Sequence, residues 1–351
     1  MSAPPLMPDT LDFGEGLCGL PEQLAASHEQ AGKINPKALP NAADFDHVVT
    51  LGMGGSGIAG NVLQAVGTVT LPVPITVLKH YRTPAFVGPR TLAFALSYSG
   101  NTEETLAMAR GAIAAGARLV TISAGGELEA LAREHGALHI PCPPTIPMPR
   151  LALGALVAPL FVVLFRMGML PEAHATLLRA QQQLARRRDQ CKPAADVDRN
   201  PARELARRIG RTIPIIYGNG GLGGVAALRW KQSVNENAKA PAYWNEYPEL
   251  DHNEVCGWGQ HGDVTRQVFT LVELRHGLED ARLERRAIAT RALIEEALCQ
   301  VLTVEAEGEG RLAQLLDLTY MGDWTSYYLA LDNDVDPGPI DAITQLKAAL
   351  G

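Results

Sequence analysis

A chain of 351 residues, 46% hydrophobic and 20% charged, has the composition of an ordinary globular protein and the length of two domains, each able to bury its own core. Its net charge of -7 argues against nucleic acid as the main partner, because a phosphate-backbone binder carries a basic surplus. The five cysteines, Cys18, Cys142, Cys191, Cys256 and Cys299, form no C-x-x-C pair and fit reduced thiols in a cytoplasmic protein better than a disulfide framework or a zinc ribbon.

The opening residues, "MSAPPLMPDTLDFGEG", have neither the basic n-region nor the apolar run of a secretory signal. From Asp46 the chain alternates β-rich and helical stretches. "HVVTLGM" predicts a strand and "GIAGNVLQAV" the helix after it; "PITVLKH", "TLAFALSYS", "ARLVTIS" and "ALHIP" predict further strands. Amphipathic segments such as "TEETLAMARGAIAA" lie between some of them, so parallel βαβ units with right-handed crossovers are expected. The proline-rich "PCPPTIPMPR" closes this unit at Arg150.

"LALGALVAPLFVVLFRMGML", residues 151–170, is borderline in length for a membrane span, but it carries Pro159 and Arg166 and is expected as a buried helix. A charged amphipathic helix, "PEAHATLLRAQQQLARRRDQCK", follows. At Thr212 the first pattern returns: "TIPIIYGNGGLGGVAALRW" reads strand, glycine turn, helix. Aligning Gly52 with Gly218 places Gly54 on Gly220, Gly55 on Gly221 and Ser56 on Leu222. If the hydroxyl has a task, only the first copy performs it. Beyond Arg266 come a strand "QVFTLVEL", a charged helix, a strand "VLTVEAE" and two helices. The expected organisation is an N-terminal helical segment (1–45), an α/β domain (46–150), connecting helices (151–211), and a second α/β domain with C-terminal helices (212–351).

The stretch Gly52-Met53-Gly54-Gly55-Ser56-Gly57 satisfies the dinucleotide pattern G-x-G-x-x-G. That pattern also needs an acidic residue about 20 positions on for the ribose, and no Asp or Glu lies between Gly57 and Thr102. Lys79 and Arg82 stand there instead and would tolerate only a 2′-phosphate, so no nicotinamide cofactor is expected. A single phosphate suits the turn better: amides at a helix N-terminus form an anion site, and Ser56 adds a hydroxyl. The other reading is a turn that uses glycine only to pack the helix close to the sheet. "ALSYSGNTEETL" bears on the choice by placing Ser97, Ser99 and Thr102 at the carboxyl end of a neighbouring strand. Asn101 with Glu104 makes a plausible capping box there, but a box does not account for three hydroxyls. In a parallel sheet such loops converge on one crevice, where Gly55, Ser56, Ser97, Ser99 and Thr102 would surround one phosphate.

The "SYSGNTEET" segment after a "GMGGSG" turn resembles the sugar isomerase (SIS) domain. With "VNENAKAPAYWNEYPELDHNEVCGW" in the second half, nearly the whole chain is similar to the bifunctional phosphoglucose/phosphomannose isomerases. That resemblance implies two flavodoxin-like SIS domains with parallel sheets flanked by helices, and an aldose–ketose isomerase acting on hexose 6-phosphates through an enediolate. Such a reaction asks for a base at carbon, groups that open the ring and a cation for the oxyanion. By itself Glu236, toward the end of the helix after the second glycine turn, would read as an ordinary helix carboxylate. The resemblance implies that it is the base. It assigns ring opening to His252, flanked by Glu249, Asp251 and Glu254, and places that histidine in the active site of a partner subunit, so a homodimer is expected. It gives Arg150 the enediolate oxygen and Lys347, on the last helix, a part in ring opening. One departure is Gly338, where the family pattern leads one to expect a hydroxyl that positions a water for mannose.

Metal is not expected: His252, His261, Glu249 and Glu254 show no ligand spacing of a known kind. The competing readings are a non-catalytic phosphosugar-binding SIS protein, which needs neither Glu236 nor His252, and an isomerase of another phosphosugar.

Overall fold

The structure, a computed structural model, describes residues 9–350; residues 1–8 of the expected N-terminal segment and Gly351 lie outside the described residues. The chain begins with α1 (Phe13–Cys18), α2 (Leu20–Gly32), β1 (His47–Gly52), α3 (Gly54–Gly67), β2 (Ile75–Leu78) and β3 (Thr91–Leu96). It continues through α4 (Glu103–Ala114), β4 (Arg118–Ser123), α5 (Gly126–Glu134), β5 (Leu138–Pro141), α6 (Leu153–Arg166), α7 (Ala173–Cys191) and α8 (Pro201–Ile209). The second half holds β6 (Ile213–Asn219), α9 (Gly220–Asn237), β7 (Tyr243–Tyr247), α10 (Gly262–Val268), β8 (Phe269–Arg275), α11 (Ala281–Ile294) and β9 (Gln300–Glu305). It ends in α12 (Arg311–Asp332) and α13 (Asp341–Leu350).

Two compact units result, one made of residues 19–184 with 308–313, the other of the remaining segments. In the first, five strands pair in parallel in the order β2-β1-β3-β4-β5, the flavodoxin-like order whose ligand crevice opens between the first and third strands. All six residues of β3 are buried, as a strand covered on both faces requires. Core residues such as Val49, Ala93 and Leu119 of the strands pack against Leu106, Ala109 and Leu128 of α4 and α5. The apolar run at 151–170 forms α6, buried from Leu153 through Leu164 and packed on α2 and α3. Among the described residues no helix is long and apolar enough to cross a membrane.

The other unit repeats the plan with four parallel strands in the order β7-β6-β8-β9. Its core joins Ile215 and Tyr217 of β6 to Leu271 of β8 and Ala287 of α11. Both units are therefore α/β with parallel sheets flanked by helices. β7 was not among the expected strands: only Tyr247 of its five residues is buried, and an edge strand without alternation gives little signal. α5 likewise stands between two expected strands where the sequence predicts no helix.

Candidate active site

At the end of β1, Gly54 takes a left-handed φ of +49° and opens α3, whose N-cap Met53 makes no side-chain cap. The first amides of that turn thus have no side-chain cap and no intrahelical partner. Ser56 is buried in the turn, and its Oγ accepts from the Tyr98 N–H at 3.1 Å, tying α3 to the loop after β3. In that loop the Ser97 and Thr102 hydroxyls lie 2.8 Å apart, and Ser97 Oγ also accepts from Gly100 N–H at 3.1 Å. Ser99 Oγ accepts from Asn101 N–H at 3.3 Å and stands exposed on the same loop. The hydroxyls read from sequence therefore lie on the two joined loops at the switch point between β1 and β3, where a fold of this order opens its crevice.

The expected capping box does not form. Thr102 is the N-cap of α4 and caps nothing with its side chain, while Asn101 Oδ1 accepts from Glu127 N–H of α5 at 2.9 Å. Gly100, at φ +73°, turns the chain so that Asn101 faces α5 rather than its own helix. Both α3 and α4 thus present uncapped first turns beside the hydroxyls, which is how a fold makes room for an anion.

Arg150 arrives at the same place from the far side. A Cβ on Gly55 would sit 2.9 Å from Arg150 Cα, so only glycine lets that backbone lie along the turn. The Tyr98 hydroxyl is within hydrogen-bonding distance of Pro143 O at 3.0 Å and Ile146 O at 2.8 Å, and so fixes the segment leading to Arg150, which is only 4% exposed. Tyr98 was not anticipated; its place between two serines was the available signal. Lys79 crosses the first turn of α3 and donates to Asn61 Oδ1 at 2.7 Å, and burial pulls its pKa down.

The second glycine turn has the same backbone and other contents. Gly220 has φ +58°, but Leu222 fills the place of Ser56 and is buried. The Glu279 carboxylate accepts from Asn219 Nδ2 at 2.6 Å, from Arg275 at 2.8 Å and from His276 N–H at 2.7 Å. Burial alone would push Glu279 up; the hydrogen bonds from Arg275 and Asn219 outweigh it and hold the carboxyl low. Glu246 leans against Gly224 of α9 in a half-buried place that raises its pKa.

Glu236 lies one residue from the end of α9 and is half-buried. The helix is anchored by Arg229, which pairs with Asp323 of α12 at 3.0 and 3.1 Å, by Ser233 to the same carboxylate at 2.5 Å, and by Trp230 Nε1 to Leu318 O at 2.7 Å. On either side of Glu236, Asn235 donates to Ala240 O and Asn237 to Ser326 Oγ, both at 2.9 Å. Among the described residues nothing hydrogen-bonds or pairs with the Glu236 carboxylate, so it remains open to a ligand.

His252 ends a short 3-10 turn (Glu249–His252) and is exposed. Its acidic neighbours face elsewhere: Glu249 accepts from Asn253 at 2.9 Å, Asp251 from Thr290 at 2.6 Å and from Arg286 at 3.2 Å, and Glu254 from Tyr217 and from Asn245. Lys347 lies on α13, where all ten residues are exposed. No hydrogen bond or ion pair joins Glu236, His252 and Lys347 to one another, whereas Ser56 is tied to the loop of Ser97, Ser99 and Thr102, and Arg150 packs on Gly55. Gly338 is buried, its N–H donating to Asp336 Oδ1 at 2.9 Å, and a Cβ there would lie 2.8 Å from Leu11 Cβ. Packing against Leu11 is a steric reason for glycine at that position.

Residues 198–350 match the family described as "Bacterial phospho-glucose isomerase C-terminal SIS domain". The bifunctional phosphoglucose/phosphomannose isomerase of Caldicellulosiruptor bescii is 35% identical over 336 residues, 96% of this chain and 98% of that protein. The enzyme of the same name from Aquifex aeolicus is 32% identical over 307 residues, 87% of this chain and 91% of its own. Among solved structures, the C-terminal domain of glucosamine-fructose-6-phosphate aminotransferase from Francisella tularensis aligns with a TM-score of 0.72 at 16% identity, covering 93% of this chain and 97% of that one, and so shares the fold. Taken with the hydroxyl crevice between β1 and β3, these matches place the chain in the bifunctional phosphoglucose/phosphomannose isomerase family, as an isomerase built of SIS domains.

Proposed function

We propose that the protein interconverts glucose 6-phosphate and mannose 6-phosphate with fructose 6-phosphate. The observation that carries this reading is the crevice between β1 and β3, where two uncapped helix starts and the hydroxyls of Ser56, Ser97, Ser99 and Thr102 meet beside Arg150. In this assignment the domain at 46–150 takes the 6-phosphate through Gly55 and those hydroxyls. Glu236 moves the proton between carbons 1 and 2, because an unpaired, half-buried carboxylate is available to a carbon acid. His252 and Lys347 transfer protons as the sugar ring opens, and the Arg150 guanidinium stabilises the enediolate oxygen. Gly338 bears on the mannose half alone, because it brings no hydroxyl to hold a water there.

Incubation with fructose 6-phosphate in excess EDTA, followed by separation of the hexose phosphates, tests the reading. Glucose 6-phosphate and mannose 6-phosphate appearing together is the expected result. Glucose 6-phosphate alone would remove the mannose half, and bound but unconverted substrate would leave a binding protein. The homodimer, with His252 serving a partner's site, has its own test. Mixing Glu236→Gln and His252→Asn chains would restore about a quarter of the wild-type rate if each site draws on both subunits, because half of randomly formed dimers then carry one intact site. Recovery near zero would put His252 and Glu236 of one chain in the same site.

A further inference from the structure

A cavity of about 290 Å³ opens at the far end of α3 from the phosphate crevice, within the unit of residues 19–184 and 308–313. Val66, Phe161 and Leu170 give it an apolar floor. Two arginines also line it, Arg179 from α7 and Arg311 from the start of α12.

Neither cation has a firm counter-ion. Arg311 Nη2 donates to Ala65 O in the last turns of α3 at 2.9 Å, and its Nε is shut from water with no acceptor in reach. Among the described residues no carboxylate pairs with it, and burial pulls its pKa down. Arg179 has Glu172 at 4.0 Å and Glu309 at 3.9 Å, both at the limit of ion pairing, and those glutamate side chains are 79% and 84% exposed. Elsewhere two buried arginines are neutralised by carboxylates: Arg187 reaches Asp317 at 2.7 Å, and Arg229 pairs with Asp323. A charged group withdrawn from water without a partner is costly, and the cost falls when an anion arrives. Planar guanidinium forks match carboxylate and phosphate oxygens, and an apolar floor favours a ligand with a short carbon body over a bare ion.

We infer that this cavity binds a small organic anion, a carboxylate or phosphate ester on a short carbon skeleton, at a site separate from the hexose-phosphate crevice. The inference does not depend on which reaction the crevice performs.

Calorimetric titration with phosphoenolpyruvate and, separately, with inorganic phosphate tests it, using the full chain and a Ser56→Ala/Ser99→Ala variant that weakens the crevice. Phosphoenolpyruvate is expected to bind both proteins alike, and more tightly than inorganic phosphate. Arg311→Gln should weaken that binding about tenfold, the loss of one charge-assisted contact. Because Arg311 also holds α3, Arg179→Gln serves as the second variant and should weaken binding by a similar factor. Binding that vanishes in the serine variant while surviving in both arginine variants would place the anion in the crevice and overturn the inference. Failure of both probes to bind would overturn it as well.

Discussion

At the end of β1, Gly54 turns left-handed and starts α3; at the end of β6, Gly220 does the same and starts α9. Around the first turn stand Ser56, the Ser97–Thr102 hydroxyl pair and, just past the last registered pair of β1 with β2, Lys79. Around the second stand Leu222, the Glu279 carboxylate and Glu246, which lies opposite Gly218 in β7. The backbone is repeated and the chemistry inverted: hydroxyls and a cation in one copy, an apolar side chain and two carboxylates in the other. Glu279 takes hydrogen bonds from the side chain of Asn219, at the N-cap of α9, and from Arg275, so in the second copy a carboxylate of the chain itself lies beside the helix start. A glycine turn of this kind is a shape, and its side chains decide what it holds.

The inversion divides the work proposed for the two turns, and the largest expected effect tests that division. Glu236→Gln, on the helix of the second turn, should lower kcat by about 10²–10⁴ with KM little changed, the range for removing a general base. A turnover near wild type in steady-state kinetics would take the base elsewhere. At the first turn, Ser56→Ala with Ser99→Ala should raise KM by about 10–100-fold, since each lost hydroxyl removes a charge-assisted contact far from the reacting carbons. A fall confined to kcat would mean that these serines do something other than hold phosphate.

Next in size are the turns themselves. Gly54→Ala and Gly220→Ala each force a left-handed alanine and should cost about 1–2 kcal/mol in denaturant unfolding. The pair separates in kinetics: Gly54→Ala should also raise KM, whereas Gly220→Ala should leave KM unchanged. Equal KM effects would break the comparison.

Much of this organisation was legible in the sequence, and the exceptions have physical reasons. Strand, glycine turn and helix could be read twice because buried parallel strands are continuous apolar runs and the turns need glycine at fixed offsets. The serines and Thr102 were legible because they sit within six consecutive residues, Ser97 to Thr102, and one aligned turn. β7 escaped because an edge strand with one buried residue has no pattern to betray it. The capping box failed because Asn101 serves α5, 26 residues away, a partner no local rule proposes. Arg150's approach to Gly55 depends on Tyr98 fixing residues 143–146, and the anchoring of α9 joins Arg229 to Asp323 across 94 residues. Such contacts are fixed by the fold and leave no spacing to read.

The smallest expected effect concerns the charge on the second turn. Burial against α9 raises the pKa of Glu246, so the folded state favours its neutral form. Below the ordinary carboxylate pKa both folded and unfolded chains hold the proton, and the group's contribution to stability is fully present. As pH rises through the raised folded value, the folded chain must bear a half-buried anion, and that contribution is lost. Glu246→Gln is nearly isosteric and carries no charge at any pH. It should therefore leave Tm unchanged at about pH 4 and raise it at about pH 8, on the far side of the carboxylate range. Lys79→Gln in the first copy makes the complementary case. Burial lowers that lysine's pKa, so the folded state disfavours its charge, and removing the charge should raise Tm at neutral pH and lose that gain in alkali. The loss of the Asn61 hydrogen bond offsets part of the gain. If Glu246→Gln instead lowered Tm at pH 8, the carboxylate would be stabilising its turn, and the inverted charges of the two copies would both be structural.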